Sequence, residues 1–230
     1  MNAVILAGGL GTRLSEVVQD LPKPMAMVAG RPFLEYVLDR LIFGGINNIT
    51  LSVGHKADVI MQHFGNKYCN AVLNYVVENE PLGTGGAIAS ALHGKGKESV
   101  LVLNGDTFLN IDYGKLINWY EQKPAAVAMV LREMPDIGRY GSVVVSGDRV
   151  SGFVEKGMVG AGLINAGVYI LQPYIYAAFG LSGKFSFETD ILQPHCKELS
   201  PRAFFTRAYF IDIGLPDDYE RAQYELLAIS

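Results

Sequence analysis

The first half of the chain alternates short apolar runs, typical of buried strands, with segments in which apolar residues recur at helical spacing. The apolar runs are residues 3–7, 48–53, 72–77 and 99–103. The helical segments are residues 33–42, 57–64 and 84–92. Because strands separated by helices are joined by right-handed crossovers, this alternation predicts a mostly parallel sheet with helices on both faces.

The second half has a different pattern. Its strand candidates lie close together, at residues 125–131, 141–145, 149–154 and 165–171, and Ser146-Gly147-Asp148 predicts a hairpin turn between the middle two. Helices are predicted at residues 113–120, 187–198 and 216–227. We therefore predict an α/β protein with a mixed, mostly parallel sheet and a small antiparallel part that faces the substrate. The 230 residues are 50% hydrophobic and contain no repeat or linker, which predicts a single domain spanning 1–230.

Composition limits the partners of the protein. The net charge of −4 and the pI near 5.6 give no basic surplus for binding nucleic acid or an anionic membrane. No apolar run approaches the ~20 residues of a membrane helix, and the N-terminus lacks the pattern of a signal peptide. Cys69 and Cys196 predict packed thiols rather than a disulfide framework. We therefore expect a soluble, cytoplasmic protein.

A glycine loop, LAGGLGTRL at residues 6–14, follows the first strand candidate. Gly8, Gly9 and Gly11 allow backbone N–H groups to approach an anion closely, and Arg13 adds a planar set of donors suited to phosphate. A P-loop would end in Gly-Lys-Ser/Thr, and a dinucleotide loop would have a third glycine three residues after Gly11; neither is present. The loop predicts a phosphate site of another kind, with a plain tight turn as the alternative.

A second basic element is Lys23, which lies between Pro22 and Pro24. Two prolines stiffen the backbone and limit the entropy that is lost when the lysine is ordered. A surface lysine on a loop is the alternative. Since Arg13 lies on the same connection, we predict that both side chains belong to one phosphate site.

The segment EPLGTGG, residues 80–86, lies between the third strand candidate and the next helix. Its glycines allow a flat ring or a ribose to approach the backbone. In a parallel sheet this loop opens at the same carboxyl edge as the first glycine loop. A nucleoside bound here would direct its phosphates toward residues 8–13. The alternative for Thr84 is to cap the helix that follows.

Two aspartates are candidates for a metal site. Asp106 follows the apolar strand candidate at 99–103, and Asp212 has a similar setting in the segment FIDIG. Carboxylate oxygens bind hard cations that bridge phosphates, so the pair predicts a magnesium site. A turn-forming role is the alternative for Asp106. Asp112 is set aside because it is better placed to cap the helix at 113–120.

A third group of polar residues lies in the second half. Glu155-Lys156 ends one strand candidate, and Asn165-Ala166-Gly167 begins the next. A carboxylate and an amide suit sugar hydroxyls, and an ammonium suits a phosphate. Residues 139–141, Arg-Tyr-Gly, offer a further wall for the same pocket. An exposed ion pair beside a hairpin is the alternative for Glu155 and Lys156.

The order and spacing of these motifs resemble the sugar-1-phosphate nucleotidyltransferases over almost the whole chain. The motifs are LAGGLGTRL, PKPM, EPLGTGGA, NGD, GRYG, FVEK, NAGVYI and DIGLPDDY. The resemblance implies a Rossmann-like nucleotidyltransferase fold, with a nucleoside triphosphate and a sugar 1-phosphate as substrates and Mg²⁺ as cofactor.

The resemblance also implies a role for each residue at a matching position. Catalytic roles are implied for Arg13, Lys23 and Asp106. Nucleotide contacts are implied for Leu6, Gly8, Gly9, Gly11, Thr12, Arg13, Lys23, Glu80, Gly83 and Thr84. Contacts with the sugar phosphate are implied for Tyr140, Gly141, Glu155, Lys156, Asn165 and Gly167. Metal ligation is implied for Asp106 and Asp212.

Within the family, the segments VVQDLPKPMAMVAGRPFLEY and EPLGTGGAI most resemble members that transfer GMP from GTP to D-glycero-α-D-manno-heptose 1-phosphate. The alternatives are the same reaction with another nucleoside triphosphate, or with a hexose or amino-sugar 1-phosphate such as mannose 1-phosphate. A non-catalytic nucleotide-sensing homologue is a further alternative. The presence of Arg13, Lys23 and both aspartates favours the enzyme. The sequence leaves the oligomeric state open, with a homo-oligomer among the options.

Overall fold

The computed structural model describes residues 1–9, 11, 14, 18, 21–94 and 96–229. The strands are β1 Asn2–Ala7, β2 Met27–Val28, β3 Arg31–Pro32, β4 Asn48–Val53, β5 Lys67–Tyr68, β6 Ala71–Val77, β7 Val100–Asn104, β8 Thr107–Leu109, β9 Val127–Met134, β10 Ser142–Ser146, β11 Arg149–Val154, β12 Gly162–Leu171, β13 Arg202–Thr206 and β14 Phe210–Asp212. The α-helices are α1 Phe33–Phe43, α2 Ala57–Phe64, α3 Gly83–Leu92, α4 Tyr113–Gln122, α5 Ile175–Phe179, α6 Cys196–Leu199 and α7 Pro216–Glu225. A 3₁₀ turn occupies Lys23–Met25, and a π-helical turn occupies Phe187–Leu192.

A central sheet contains ten of the strands in the described part of the chain, in the order β10-β11-β13-β9-β12-β7-β1-β4-β6-β5. Strands β7, β1, β4 and β6 are mutually parallel. They are the four apolar runs of the first half, so the predicted parallel part of the sheet is confirmed. Their carboxyl ends meet at one edge, where ligands bind in sheets of this kind.

The second half extends the same sheet. Strand β12 pairs antiparallel with both β7 and β9, and β10 pairs antiparallel with β11. The hairpin turn predicted at 146–148 is present, and Gly147 has a φ of +60° there. The pairing of β12 with β9 is irregular between Asn165 and Tyr169. The predicted antiparallel part is therefore present and is continuous with the parallel strands. Its predicted small size is wrong, since five of the nine pairings between neighbours in this sheet are antiparallel.

The core lies on both faces of the sheet because alternate side chains of a strand point to opposite faces. In β1, Ala3 and Ile5 pack in a cluster with α1 and α4, whereas Val4 packs in a second cluster with α3 and the π-helical turn. Both faces are thus covered, as the parallel strands β7, β1, β4 and β6 require.

Several local predictions need correction. A continuous helix over 187–198 is wrong, because the segment divides into the π-helical turn and α6. Pro194 lies at the break, where its missing N–H prevents a regular helix. Strands β13 and β14 were not predicted. The packing predicted for Cys69 is also wrong, since its side chain is exposed, while Cys196 is buried and both thiols are free. In the described residues, no helix is both long and apolar enough to span a membrane.

Candidate active site

A cleft of about 420 Å³ opens at the carboxyl edge of the parallel strands. We call it the strand-end cleft. It is lined by Leu6, Gly8, Gly9, Gly11, Glu78, Pro81, Gly83, Thr84, Ala87, Asn104, Asp106 and Lys184. The loops after β1, β6 and β7 all contribute, so the fold brings together three motifs that lie far apart in sequence. Thr12 and Arg13, which complete the first motif, lie outside the described residues.

Gly8 is held against a carboxylate that the sequence interpretation missed. A Cβ added at Gly8 would lie 2.6 Å from Oε1 of Glu78. That carboxylate accepts a hydrogen bond from the Ser52 hydroxyl (3.0 Å) and another from the backbone N–H of Leu82 (3.2 Å). Glu78 therefore links β4 to the loop after β6, and its carboxylate occupies the space beside Gly8. Its position immediately after a buried strand was the available sequence signal.

Lys23 is nearly buried, with 9% of its side chain exposed, and lies between the two predicted metal ligands. Its Nζ donates to Oδ2 of Asp106 at 2.5 Å and lies 3.6 Å from Oδ1 of Asp212. Gly11 has a φ of +61°, and a Cβ there would lie 3.0 Å from Cβ of Lys23. One ammonium is thus shared by two carboxylates. The first glycine loop packs directly on the aliphatic part of the Lys23 side chain.

The two aspartates are brought together by a short sheet that was not predicted. Strands β8 and β14 pair antiparallel, with Asp212 opposite Thr107. The backbone N–H of Ile213 donates to the carbonyl of Asp106 at 3.0 Å, and that of Gly214 donates to Oδ1 of Asp212 at 2.7 Å. The carboxylates are about one-third exposed (36% and 33%). Among the described residues, no group of three or more His, Cys, Asp or Glu side chains is placed to hold a metal ion.

The glycines of the EPLGTGG loop make room for another part of the chain. A Cβ at Gly83 would lie 2.5 Å from the carbonyl oxygen of Phe185, and one at Gly85 would lie 2.3 Å from the Phe185 ring. The Phe185 carbonyl also accepts from the N–H groups of Gly85 (3.0 Å) and Gly86 (3.3 Å). Helix α3 begins at Gly83 with Leu82 as its N-cap, so the alternative of Thr84 as the cap is wrong.

Two further charged side chains lie at this edge of the sheet. Glu80 is exposed and lines a smaller cavity of about 210 Å³ beside Gly8 and His55. Lys184 precedes Phe185 and lines the strand-end cleft. Lys184 was missed by sequence reasoning, since a single lysine between helices carries no recognisable signal.

The residues predicted to hold the sugar phosphate are only partly assembled. Gly167 lies at the edge of the cleft, since a Cβ there would lie 2.5 Å from Nδ2 of Asn104, and Asn165 accepts from its N–H at 3.0 Å. Tyr140 packs its ring edge-on against Phe210, and burial raises the pKa of its phenol.

Glu155 and Lys156 follow β11 directly and are exposed. Neither is among the described residues that line the strand-end cleft. Gly141, one residue before β10, is likewise absent from that lining within the described part of the chain. Asn165 and Gly167 are not in that lining either, but Gly167 packs against Asn104, which is, so these two residues lie next to the cleft.

The sequence matches one family model over almost its whole length. Residues 2–229 match the model described as nucleotidyl transferase. The chain belongs to the nucleotidyl transferase family. The predicted enzyme class and the Rossmann-like fold of that family are confirmed. Nucleotidyltransferases of this family typically use a divalent metal ion.

Several family members are similar to this chain from end to end. It is 45% identical over 226 residues, 98% of each chain, to D-glycero-alpha-D-manno-heptose 1-phosphate guanylyltransferase of Aneurinibacillus thermoaerophilus. It is 44% identical to the enzyme of the same name from Campylobacter jejuni, covering 95% of this chain and 97% of that one. The crystal structure of HddC from Yersinia pseudotuberculosis complexed with GMP-PN is 40% identical, with a TM-score of 0.85 and coverage of 98% and 99%.

Proposed function

We propose that this protein transfers GMP from GTP to D-glycero-α-D-manno-heptose 1-phosphate, giving a GDP-sugar and pyrophosphate. The observation that carries the proposal is the 45% identity, over 98% of both chains, to an enzyme of that name. The complex of a similar protein with GMP-PN supports the choice of a guanine nucleotide. We further propose that residues 1–230 act as one nucleotidyltransferase domain in the cytoplasm, in keeping with two free thiols.

The proposed chemistry is an in-line attack by an oxygen of the sugar 1-phosphate on the α-phosphorus of GTP, with pyrophosphate as the leaving group. The nucleophile is already an anion, so no general base is required. The main barrier is the approach of two polyanions, since a like-charge pair at ~4 Å costs about 4 kcal/mol at an effective dielectric constant of ~20. We propose that Arg13, Lys23 and Lys156 offset this repulsion.

The chain's carboxylates fit a divalent cation. Asp106 and Asp212 already flank one positive charge, the ammonium of Lys23, and both are partly exposed. Hard cations such as Mg²⁺ prefer carboxylate oxygens and complete their shell with water and substrate phosphates, so two protein ligands are sufficient. We propose that these two aspartates hold Mg²⁺, which would neutralise phosphate charge when bound. Lys23 and the metal then compete for the same oxygens.

The remaining substrate contacts are proposed from position. Leu6, Gly8, Gly9 and Gly11 line the strand-end cleft, and we propose that together with Thr12, Gly83 and Thr84 they surround the nucleotide. Glu80, beside the cleft, would accept hydrogen bonds from the guanine N–H groups. On the sugar side we propose contacts from Tyr140, Gly141, Glu155, Lys156, Asn165 and Gly167. For Glu155 and Lys156 to make these contacts, the loop after β11 must move toward the strand-end cleft.

The deciding experiment measures pyrophosphate release with GTP, ATP, UTP and CTP, each tested against heptose, mannose, glucose and N-acetylglucosamine 1-phosphates in the presence of Mg²⁺. We expect GTP with the heptose 1-phosphate to give the highest kcat/KM. A clear preference for another pair would replace the proposed substrates. No release with any pair would remove the proposed activity itself.

A further inference from the structure

Glu188 lies on the π-helical turn, between the proposed nucleotide side and the proposed sugar side of the cleft. We propose that Glu188 is a positioning residue that fixes the nucleotide side and the sugar side of the cleft relative to each other. It acts through Thr84 on the nucleotide side and through Tyr169 and Asn165 on the sugar side. The inference rests on the proposed function, because those sides are defined by the two substrates. Glu188 itself is not placed in contact with substrate.

Three hydroxyl groups converge on the Glu188 carboxylate. Oε2 accepts from Thr84 Oγ1 at 2.6 Å and from Ser186 Oγ at 3.1 Å. Oε1 accepts from the Tyr169 hydroxyl at 2.9 Å. Hydrogen bonds to an ionised acceptor are about twice as strong as those between neutral groups. The carboxylate is therefore a strong acceptor that fixes the direction of all three hydroxyls.

The sugar-side arm runs through Tyr169. Its ring is 1% exposed, and its hydroxyl accepts from Nδ2 of Asn165 at 2.6 Å while donating to Glu188. Oδ1 of Asn165 accepts from the N–H of Gly167 at 3.0 Å, so the amide orientation is determined. Gly167 has a φ of +68° and lies in the irregular part of β12. Two hydrogen bonds thus fix the orientation of the Asn165 amide, and one of them is made to a hydroxyl that also donates to Glu188.

The nucleotide-side arm runs through Thr84, in the first turn of α3. Its hydroxyl accepts from the N–H of Phe187 at 2.9 Å, and its own proton goes to Glu188. The Phe185 carbonyl meanwhile accepts from Gly85 and Gly86 of the same turn. The start of α3, which lines the strand-end cleft, is therefore fastened to the π-helical turn that carries Glu188.

The chemistry of the network favours a carboxylate over a neutral acceptor. Burial and the nearby Glu188 charge raise the pKa of Tyr169 well above its usual value, so the phenol remains a donor at every physiological pH. Glutamine in place of Glu188 would offer one acceptor oxygen instead of two and would direct an N–H₂ group at hydroxyls. One of the two arms would then lose its acceptor.

The test compares Tyr169→Phe with a matched control, Tyr176→Phe. Tyr176 packs on Phe187 near the same carboxylate, and its buried hydroxyl has no hydrogen-bond partner among the described residues. Losing a hydrogen bond to a charged group typically changes an equilibrium by about tenfold. We expect Tyr169→Phe to raise KM for the sugar 1-phosphate about tenfold and to change KM for the nucleotide less than about twofold. Tyr176→Phe should match the wild type.

Glu188→Ala removes both acceptor oxygens and should raise both KM values, whereas Glu188→Gln should raise only the KM of the substrate whose arm loses its acceptor. Thermal unfolding of each variant separates stability from kinetics. A Tyr169→Phe variant with a lower Tm but wild-type KM values would overturn the inference and leave Glu188 a structural role.

The inference and the proposed function fail in different ways. A wild-type enzyme that prefers another nucleotide or another sugar 1-phosphate would overturn the proposed substrates. The same variants, assayed with the accepted pair, would still decide the role of Glu188. If the wild type is active and Tyr169→Phe has the same KM values as Tyr176→Phe for both substrates, the role of Glu188 alone is overturned.

Discussion

Nζ of Lys23 lies 2.5 Å from Oδ2 of Asp106, although 83 residues separate the two in sequence. The ion pair joins the proline-braced turn before β2 to the carboxyl end of β7. Asp212 approaches the same ammonium from β14, at 3.6 Å. A single buried cation thus lies between two carboxylates that would otherwise repel each other. Removal of that cation should leave a site with higher affinity for a metal ion.

Lys23→Met keeps the packed stem and removes the charge. We expect kcat to fall about a hundredfold, because a positive group next to the transferring phosphate is lost. We also expect Mg²⁺ to raise the Tm of the variant more than it raises that of the wild type, since the two carboxylates no longer have a competing ammonium. Single-turnover kinetics and melting curves with and without MgCl₂ measure both effects. Near-normal turnover would remove Lys23 from the chemistry.

Asp106→Asn should weaken Mg²⁺ binding and lower the rate at ordinary Mg²⁺ concentrations by about a hundredfold or more. Asp112→Asn is the matched control, because Asp112 is the N-cap of α4 and accepts from the N–H of Lys115 at 3.0 Å. Asparagine is also a good N-cap, so the control should change stability by less than about 0.5 kcal/mol. A titration of rate against MgCl₂ distinguishes the variants. If Asp106→Asn has the rate and Mg²⁺ dependence of Asp112→Asn, Asp106 is not a ligand.

The sequence located the first glycine loop and Asp106 correctly at the cleft because both directly follow strands of the parallel sheet. In such a sheet, strand order alone places these positions at one edge. The same reasoning paired Asp106 with Asp212 from their similar settings, but it did not give the elements through which distant contacts form. The approach of Asp212 depends on β14 pairing with β8, and the bond from Thr84 to Glu188 spans 104 residues.

The glycines of the EPLGTGG loop show a second limit of sequence reasoning. A glycine indicates that something approaches the backbone closely, but not what approaches. At Gly83 and Gly85 the neighbour is Phe185. At Gly8 it is the carboxylate of Glu78, which sequence reasoning passed over in favour of Glu80. Only the packed structure distinguishes a close protein neighbour from space left for a ligand.

Gly8→Ala should destabilise the fold because Glu78 must move. The added methyl would lie 2.6 Å from Oε1 of Glu78, whose bonds to Ser52 and to the N–H of Leu82 would be lost. We expect a loss of about 1–3 kcal/mol in the free energy of unfolding. Gly9→Ala is the matched control, since nothing lies within 4 Å of a Cβ there. Urea denaturation should give a lower free energy of unfolding for Gly8→Ala than for Gly9→Ala. Equal values would show that Glu78 moves aside without loss of stability.

Glu225 makes the stability of the C-terminal helix depend on pH. Its carboxylate on α7 accepts from the Tyr209 hydroxyl at 2.7 Å and from Arg221 at 3.1 Å. Burial by itself raises the pKa of Glu225, but the hydrogen bonds from Arg221 and Tyr209 outweigh burial and lower the pKa below its ordinary value. A lowered pKa in the folded state means that the contribution to stability is complete above the unfolded-state pKa of about 4.3. The contribution is lost as the pH falls through the folded-state pKa.

Glu225→Gln should therefore unfold at a lower temperature than the wild type at pH 7, and the difference should shrink below about pH 4 as the wild-type carboxyl becomes protonated. The control is Glu220→Gln, which removes the same charge from an exposed position of α7. Melting temperatures of the three proteins, recorded from pH 7 to pH 3, test the expectation. If the Tm of Glu225→Gln stays below that of the wild type by the same amount at pH 3, the ionised hydrogen bonds to Arg221 and Tyr209 are not the cause. Packing of the side chain would then be what holds α7 against the segment before β14.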